Sequence, residues 1–320
     1  MAENNVNQQQ MPVETVQQVP VEAVQQVPAE NVQAAKPKKK VRVGFIFLSL
    51  LPVYAIISIQ TITQVPFLFF AMAELEKTSG TAAATDMNTV FDFFNQKYAF
   101  WAYLLYSVVG IIAFGLWYYF GFVRRGTKVR IKEIIGYKSI LAVISMVIGL
   151  QFLITAGFVI ATELFPNVIE DYMQLMTDSG LVDNQLIMIV YAILIGPVLE
   201  ELCIRGVTFG FLEKSNIKPF FIILISGILF GVMHLNLVQG IYASVLGFFL
   251  GYMRYKYRSI KITIVMHILF NFMGTYGEML MEKLDLSNGA NLILGGISLF
   301  VLLFAVLLVN GDPKAYKQTA

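Results

Sequence analysis

Cysteine and histidine are nearly absent from this chain, which has one of the first and two of the second in 320 residues. A lone Cys203 can form no intramolecular disulfide and no Cys-rich zinc or iron–sulfur centre, and its place in an apolar run leaves the redox compartment open. Charge is scarce as well. Only 14% of residues are Asp, Glu, Lys or Arg and 57% are apolar, whereas soluble domains run at about 25% charged and about 45 to 50% apolar. With a mean hydropathy of +0.68, the chain suits a lipid bilayer. A net charge of +2, with the basic residues clustered beside apolar runs, offers no basic face for nucleic acid. Three chemistries also lack their signatures: there is no His-Glu-x-x-His helix, no Gly-x-Ser-x-Gly elbow and no glycine-rich phosphate loop. Ser226, in Leu-Ile-Ser-Gly-Ile, does not restore a serine-hydrolase reading.

The first 40 residues carry an eight-residue repeat, with Pro12, Pro20 and Pro28 in phase with Glu14, Glu22 and Glu30. Regular prolines in a Gln- and Val-rich background cannot build a packed core, so 1–40 is expected to be a disordered tail with a basic end. No cleavable secretory signal is expected, because the first apolar run begins only at Val43. Crossing the hydrocarbon takes about 20 apolar residues. Val43 to Ala73, Tyr98 to Val123, Ser139 to Thr162 and Leu286 to Gly311 each lack Asp, Glu, Lys and Arg and read as single spans. Pro219 to Met253 is charge-free too, but one straight helix of that length would be about 50 Å long, so a helical hairpin turning near Asn236 is expected. Gln185 to Leu212 and Ile262 to Met281 bring the bundle to about eight spans within 41–312, followed by a cytoplasmic tail, 313–320. The expected fold class is therefore an all-α, polytopic membrane bundle. Lys38, Lys39, Lys40 and Arg42, then Arg124, Arg125, Lys128, Arg130 and Lys132, then Arg254, Lys256, Arg258 and Lys261 would face the cytoplasm. Lys314 and Lys317 agree with that side. Glu163, Glu170, Asp171, Asp178 and Asp183, with no base among them, would lie outside, which puts both termini in the cytoplasm.

Ionisable side chains inside a span are costly, so each is a functional candidate. Glu200, Glu201 and Arg205 interrupt the fourth run. Glu201 and Arg205 are four residues apart on one helical face and can form an ion pair. Glu200 is turned about 100° away and left without that partner, which suits a general base. Both histidines also fall within spans. Phe230 and His234 share a face, giving the imidazole an aromatic neighbour, and His267 and Asn271 share another, which allows both to bond one small group. A carboxylate with two imidazoles, here Glu200, His234 and His267, can hold a catalytic zinc ion and one water, or it can activate water without metal. Either route is hydrolysis, and both stay open.

In order, Glu200-Glu201-x-x-x-Arg205, Phe230-x-x-x-His234 and His267-x-x-x-Asn271 resemble the three motifs of the CPBP family of glutamate-dependent intramembrane proteases, which includes the CAAX prenyl endopeptidase. The resemblance covers a core of 185–281. It implies that Glu200 is the catalytic glutamate, that His234 orients the water, and that His267 and Asn271 stabilise the oxyanion, with Glu201, Arg205 and Phe230 in support. The implied reaction is cleavage of a peptide or membrane protein presented by the lipid bilayer of a bacterial plasma membrane. A proton-coupled transporter and a catalytically silent scaffold or immunity protein are the alternatives. The depths are awkward, since Glu200 falls near mid-span and His267 close to the cytoplasmic end of its run. Gly196-Pro197 is where a bend could reconcile them.

Overall fold

The computed structural model describes residues 40–124, 129–178, 190–277 and 283–316. The expectations for the tail 1–39, for Arg125, Lys128, Asp183 and Lys317, for 185–189 at the start of the fourth run and for 278–281 at the end of the seventh lie outside these residues. Among the described residues all regular structure is helical.

Among the described residues, eight main helices follow the charge-bounded runs. α1 (Val43–Ser79), α2 (Ala99–Val123), α3 (Tyr137–Leu164) and α8 (Asn288–Asn310) are long and apolar enough to cross a membrane. The other four are shorter or interrupted. α4 (residues 191–214) is a composite of a π-helical turn Tyr191–Ile195, an α-helical Gly196–Glu201, a second π segment Leu202–Thr208 and an α-helical Phe209–Lys214. α5 (Pro219–Val232) and α6 (Leu237–Tyr257) form the expected hairpin. α7 (Ile260–Phe272) runs on into a π turn, Met273–Gly277.

Local chemistry sets these boundaries. Pro219 opens α5, where its missing N–H is no loss. The Asn236 side chain caps α6 by accepting from the Gln239 amide at 3.0 Å, and Ser259 and Ser287 begin α7 and α8 in the same way. Between α5 and α6 the chain reverses through Leu235, which has a φ of 55°. The hairpin closes tightly because glycines line its seam: a Cβ on Gly231 would overlap the carbonyl oxygen of Gly240 and the hydroxyl of Ser244. One apolar core, including Phe114, Met146, Leu199, Phe230, Leu250, Met266 and Leu302, joins α2 through α8.

Two connections depart from the sequence reading. The acidic stretch after α3 is a helix, Pro166–Asp178, which buries Ile169 and Tyr172 and touches α6 through a 3.1 Å hydroxyl pair between Tyr172 and Tyr242. After α8, the last residue of the expected bundle and the first residues of the expected tail fold back: the Tyr257 hydroxyl donates to buried Asp312 at 2.8 Å, and the Tyr316 amide donates to the Lys256 carbonyl at 2.6 Å.

Candidate active site

The interruptions in α4 are what turn both glutamates to useful positions. Pro197 cannot donate a backbone hydrogen bond, and the turn before it widens so that the Gly196 N–H reaches Tyr191, five residues back. Glu200 and Glu201 follow one turn later. Glu201 and Arg205 form the expected pair, with the guanidinium donating to Glu201 Oε1 at 2.8 Å and both side chains fully buried. Arg205 also donates to the Gly247 carbonyl at 2.9 Å and lies over the Phe230 ring, 4.4 Å from its centroid. Its own carbonyl accepts from Arg254 Nε at 3.1 Å. A desolvated cation thus meets a carboxylate, a carbonyl and an aromatic face, three kinds of partner that suit it.

From α7, His267 enters between the two glutamates. Its Nδ1 lies 3.3 Å from Glu201 Oε1 and its Nε2 lies 3.7 Å from Glu200 Oε2. A carboxylate can only accept, so the Glu201 contact assigns the proton to Nδ1 and leaves Nε2 to face Glu200. The spacing of 3.7 Å is too long for a direct hydrogen bond and suits two groups that share a third molecule. Glu200 is the member open to such a molecule, its side chain being 21% exposed against 3% for His267. The difficulty of depth disappears, because the interrupted α4 brings Glu200 alongside His267.

On the hairpin side, His234 packs edge-on against Phe230 with ring centroids 5.1 Å apart, and His267 does so from another direction at 5.4 Å. Phe230 therefore holds both imidazoles and the Arg205 guanidinium. His234 Nδ1 lies 2.8 Å from the Phe230 carbonyl, an acceptor, so this proton too sits on Nδ1 and Nε2 is free. Asn271 behaves differently from its expected partner. Rather than sharing one group with His267, its amide donates to the Ala192 carbonyl at 2.8 Å.

The two histidine tautomers are those of zinc-ligating imidazoles, each with Nδ1–H engaged behind a free Nε2. The donors nevertheless do not gather: among the described residues no group of three or more His, Cys, Asp or Glu is placed to hold a metal ion. Glu200, His234 and His267 do not fit as a ligand set in this arrangement. Sequence reasoning missed one functional contact, the grip of Glu201 on His267. Its signal was a carboxylate in an apolar run with more acceptor sites than a single arginine fills.

Comparisons with known proteins fall on the segment that carries these residues. Residues 182–273, which contain all three motifs, match the family described as type II CAAX prenyl endopeptidase Rce1-like. YdiL of Bacillus subtilis (strain 168), provisionally named a membrane peptidase, is 34% identical over 86 residues, covering 27% of this chain and 34% of YdiL. The chain thus spans about a third of the length of the curated relative it matches. No solved structure shows a significant match. The segment that carries the three motifs is therefore similar to the type II CAAX prenyl endopeptidase Rce1-like family, in keeping with the resemblance read from the motifs.

Proposed function

We propose that the protein is an intramembrane endopeptidase in which Glu200 is the general base, acting on a peptide or membrane protein presented by the bilayer. The observation that carries this reading is the bracket of two glutamates around one imidazole, with the outer glutamate partly open and the inner one buried on an arginine. Water bound beside Glu200 loses a proton to the carboxylate as its oxygen attacks the scissile carbonyl carbon. His234, with its Nδ1 proton held by the Phe230 carbonyl, offers Nε2 as an acceptor that orients that water. His267, its ring fixed by the Nδ1–H contact with Glu201, turns Nε2 toward the position of the developing oxyanion. Such fixed donors in a water-poor site stabilise charge strongly. Glu200 then returns its proton to the leaving amine as the C–N bond breaks, giving a carboxylic acid and an amine. Arg205 holds Glu201 in place behind the ring.

Incubating the purified protein in lipid with a peptide library, and reading new termini by mass spectrometry, tests the reaction. Cleavage by the native protein that disappears in Glu200→Gln at equal folded amount is expected. Cleavage unchanged in Glu200→Gln would sink the assignment.

A further inference from the structure

Asn271 lies one turn beyond His267 on α7, and its Nδ2 donates to the carbonyl of Ala192 in the opening π turn of α4. That carbonyl has lost both donors its own chain could send. In an α-helix it would receive the N–H of Gly196, but Gly196 is committed to Tyr191. In a π-helix it would receive the N–H of residue 197, and residue 197 is a proline. A carbonyl orphaned inside a membrane bundle must be satisfied by a neighbouring element or pay the full desolvation penalty. Asn271 is that neighbour. The next turn of the same helix face carries His267, which meets Glu200 and Glu201. α7 is therefore fastened to α4 at two levels, one at the glutamates and one about two turns of α4 before them.

The geometry points to Asn271 as a positioning residue whose amide latches the proline-interrupted turn of α4 to α7 and so sets the distance between Glu200 and His267. The effect on rate rests on the peptidase reading above, whereas the latch does not. This role differs from direct stabilisation of the oxyanion, because it exists only while Pro197 withholds its donor. Replacing Pro197 by alanine returns an N–H to the site and should make Asn271 largely dispensable.

The test is a double-mutant cycle on the full chain purified in detergent micelles, comparing native, Asn271→Ala, Pro197→Ala and the double variant. The first readout is thermal stability. Asn271→Ala should lower the Tm by roughly 3 to 8 °C with Pro197 present, and by less than about 2 °C in the Pro197→Ala background. Equal lowering in both backgrounds, or none with Pro197, overturns the latch. If Asn271→Ala does not accumulate, Asn271→Asp, nearly isosteric but without the amide donor, takes its place and must show the same dependence on residue 197. The second readout is kinetic, on a peptide the native protein cleaves. A positioning role predicts that kcat falls about ten- to a hundredfold in the Pro197 background with KM little changed, and that most of the loss is absent once Pro197→Ala has been introduced. The same factor lost in both backgrounds would instead assign Asn271 to the oxyanion and overturn the positioning role. Should the native protein cleave no peptide, the peptidase reading fails and the Tm cycle still decides the latch.

Discussion

Removing the Arg205 guanidinium separates the structural from the chemical duty of the inner glutamate. Arg205 and Glu201 are both fully buried at 2.8 Å, so Arg205→Ala strands a desolvated carboxylate, which costs about 3 to 5 kcal/mol. The Gly247 carbonyl loses a donor as well, adding about 1 to 3 kcal/mol if nothing replaces it. These losses share one site and do not sum, but even the lower figure consumes much of a stability of about 5 to 15 kcal/mol. Arg205→Ala should therefore be depleted from membranes and unfold early in detergent. Arg205→Met combined with Glu201→Leu removes both charges at similar volume and should regain most of the folded amount, because replacing a buried pair by apolar groups is often near neutral. It should nevertheless be a poor enzyme, slowed about a hundredfold or more, since His267 has lost the carboxylate that fixes its ring. Quantitative blotting of membranes, thermal unfolding in detergent and peptide cleavage would be measured on the same preparations. A single variant as stable as the native protein, or a double variant as unstable as the single, would refute the reasoning.

Three further outcomes are expected. A reporter fused after Lys132 should signal from the cytoplasm, as the eight-span topology with both termini inside requires, and an external signal would break that topology. Gly231→Ala should cost about 1 to 3 kcal/mol by thermal unfolding, because the new methyl meets the backbone of Gly240 across the hairpin whose turn carries His234; unchanged stability would mean the seam is looser than described. Dialysis against a strong chelator should leave the cleavage rate within about twofold of its starting value, since the three donors do not gather into a ligand set; loss of activity restored by added zinc would show that they do gather in the working protein.

What the sequence made legible was whatever one helix decides by itself. Charge-free runs marked the helices, Asn236 marked the hairpin turn, and spacings of four residues paired Glu201 with Arg205 and Phe230 with His234. What it hid was which faces of different helices meet. His267 and Glu201 are 66 residues apart, and Asn271 and Ala192 are 79 apart. A shared face says nothing about what stands opposite, so His267 and Asn271 suited one small group on paper and instead serve two levels of α4. The π segments mattered most, because they shift the turn that presents Glu200 and no spacing rule anticipates them. Gly196-Pro197 did mark the right place. A proline removes a donor, and following that missing N–H would have led to the freed carbonyl and to the need for a side-chain amide nearby.

The central claim is that Glu200 and His267 act as a single unit, the glutamate on the attacking water and the imidazole on the developing oxyanion, and a kinetic cycle on that pair tests it most directly. Glu200→Gln and His267→Gln should each reduce kcat/KM by about a thousandfold or more, and the double variant should be no slower than the worse single, because residues that act together lose their whole effect at the first removal. All four proteins would be compared at equal folded amount on one membrane-presented peptide. Losses that multiply, or a Glu200→Gln protein that cleaves at the native rate, would contradict the account.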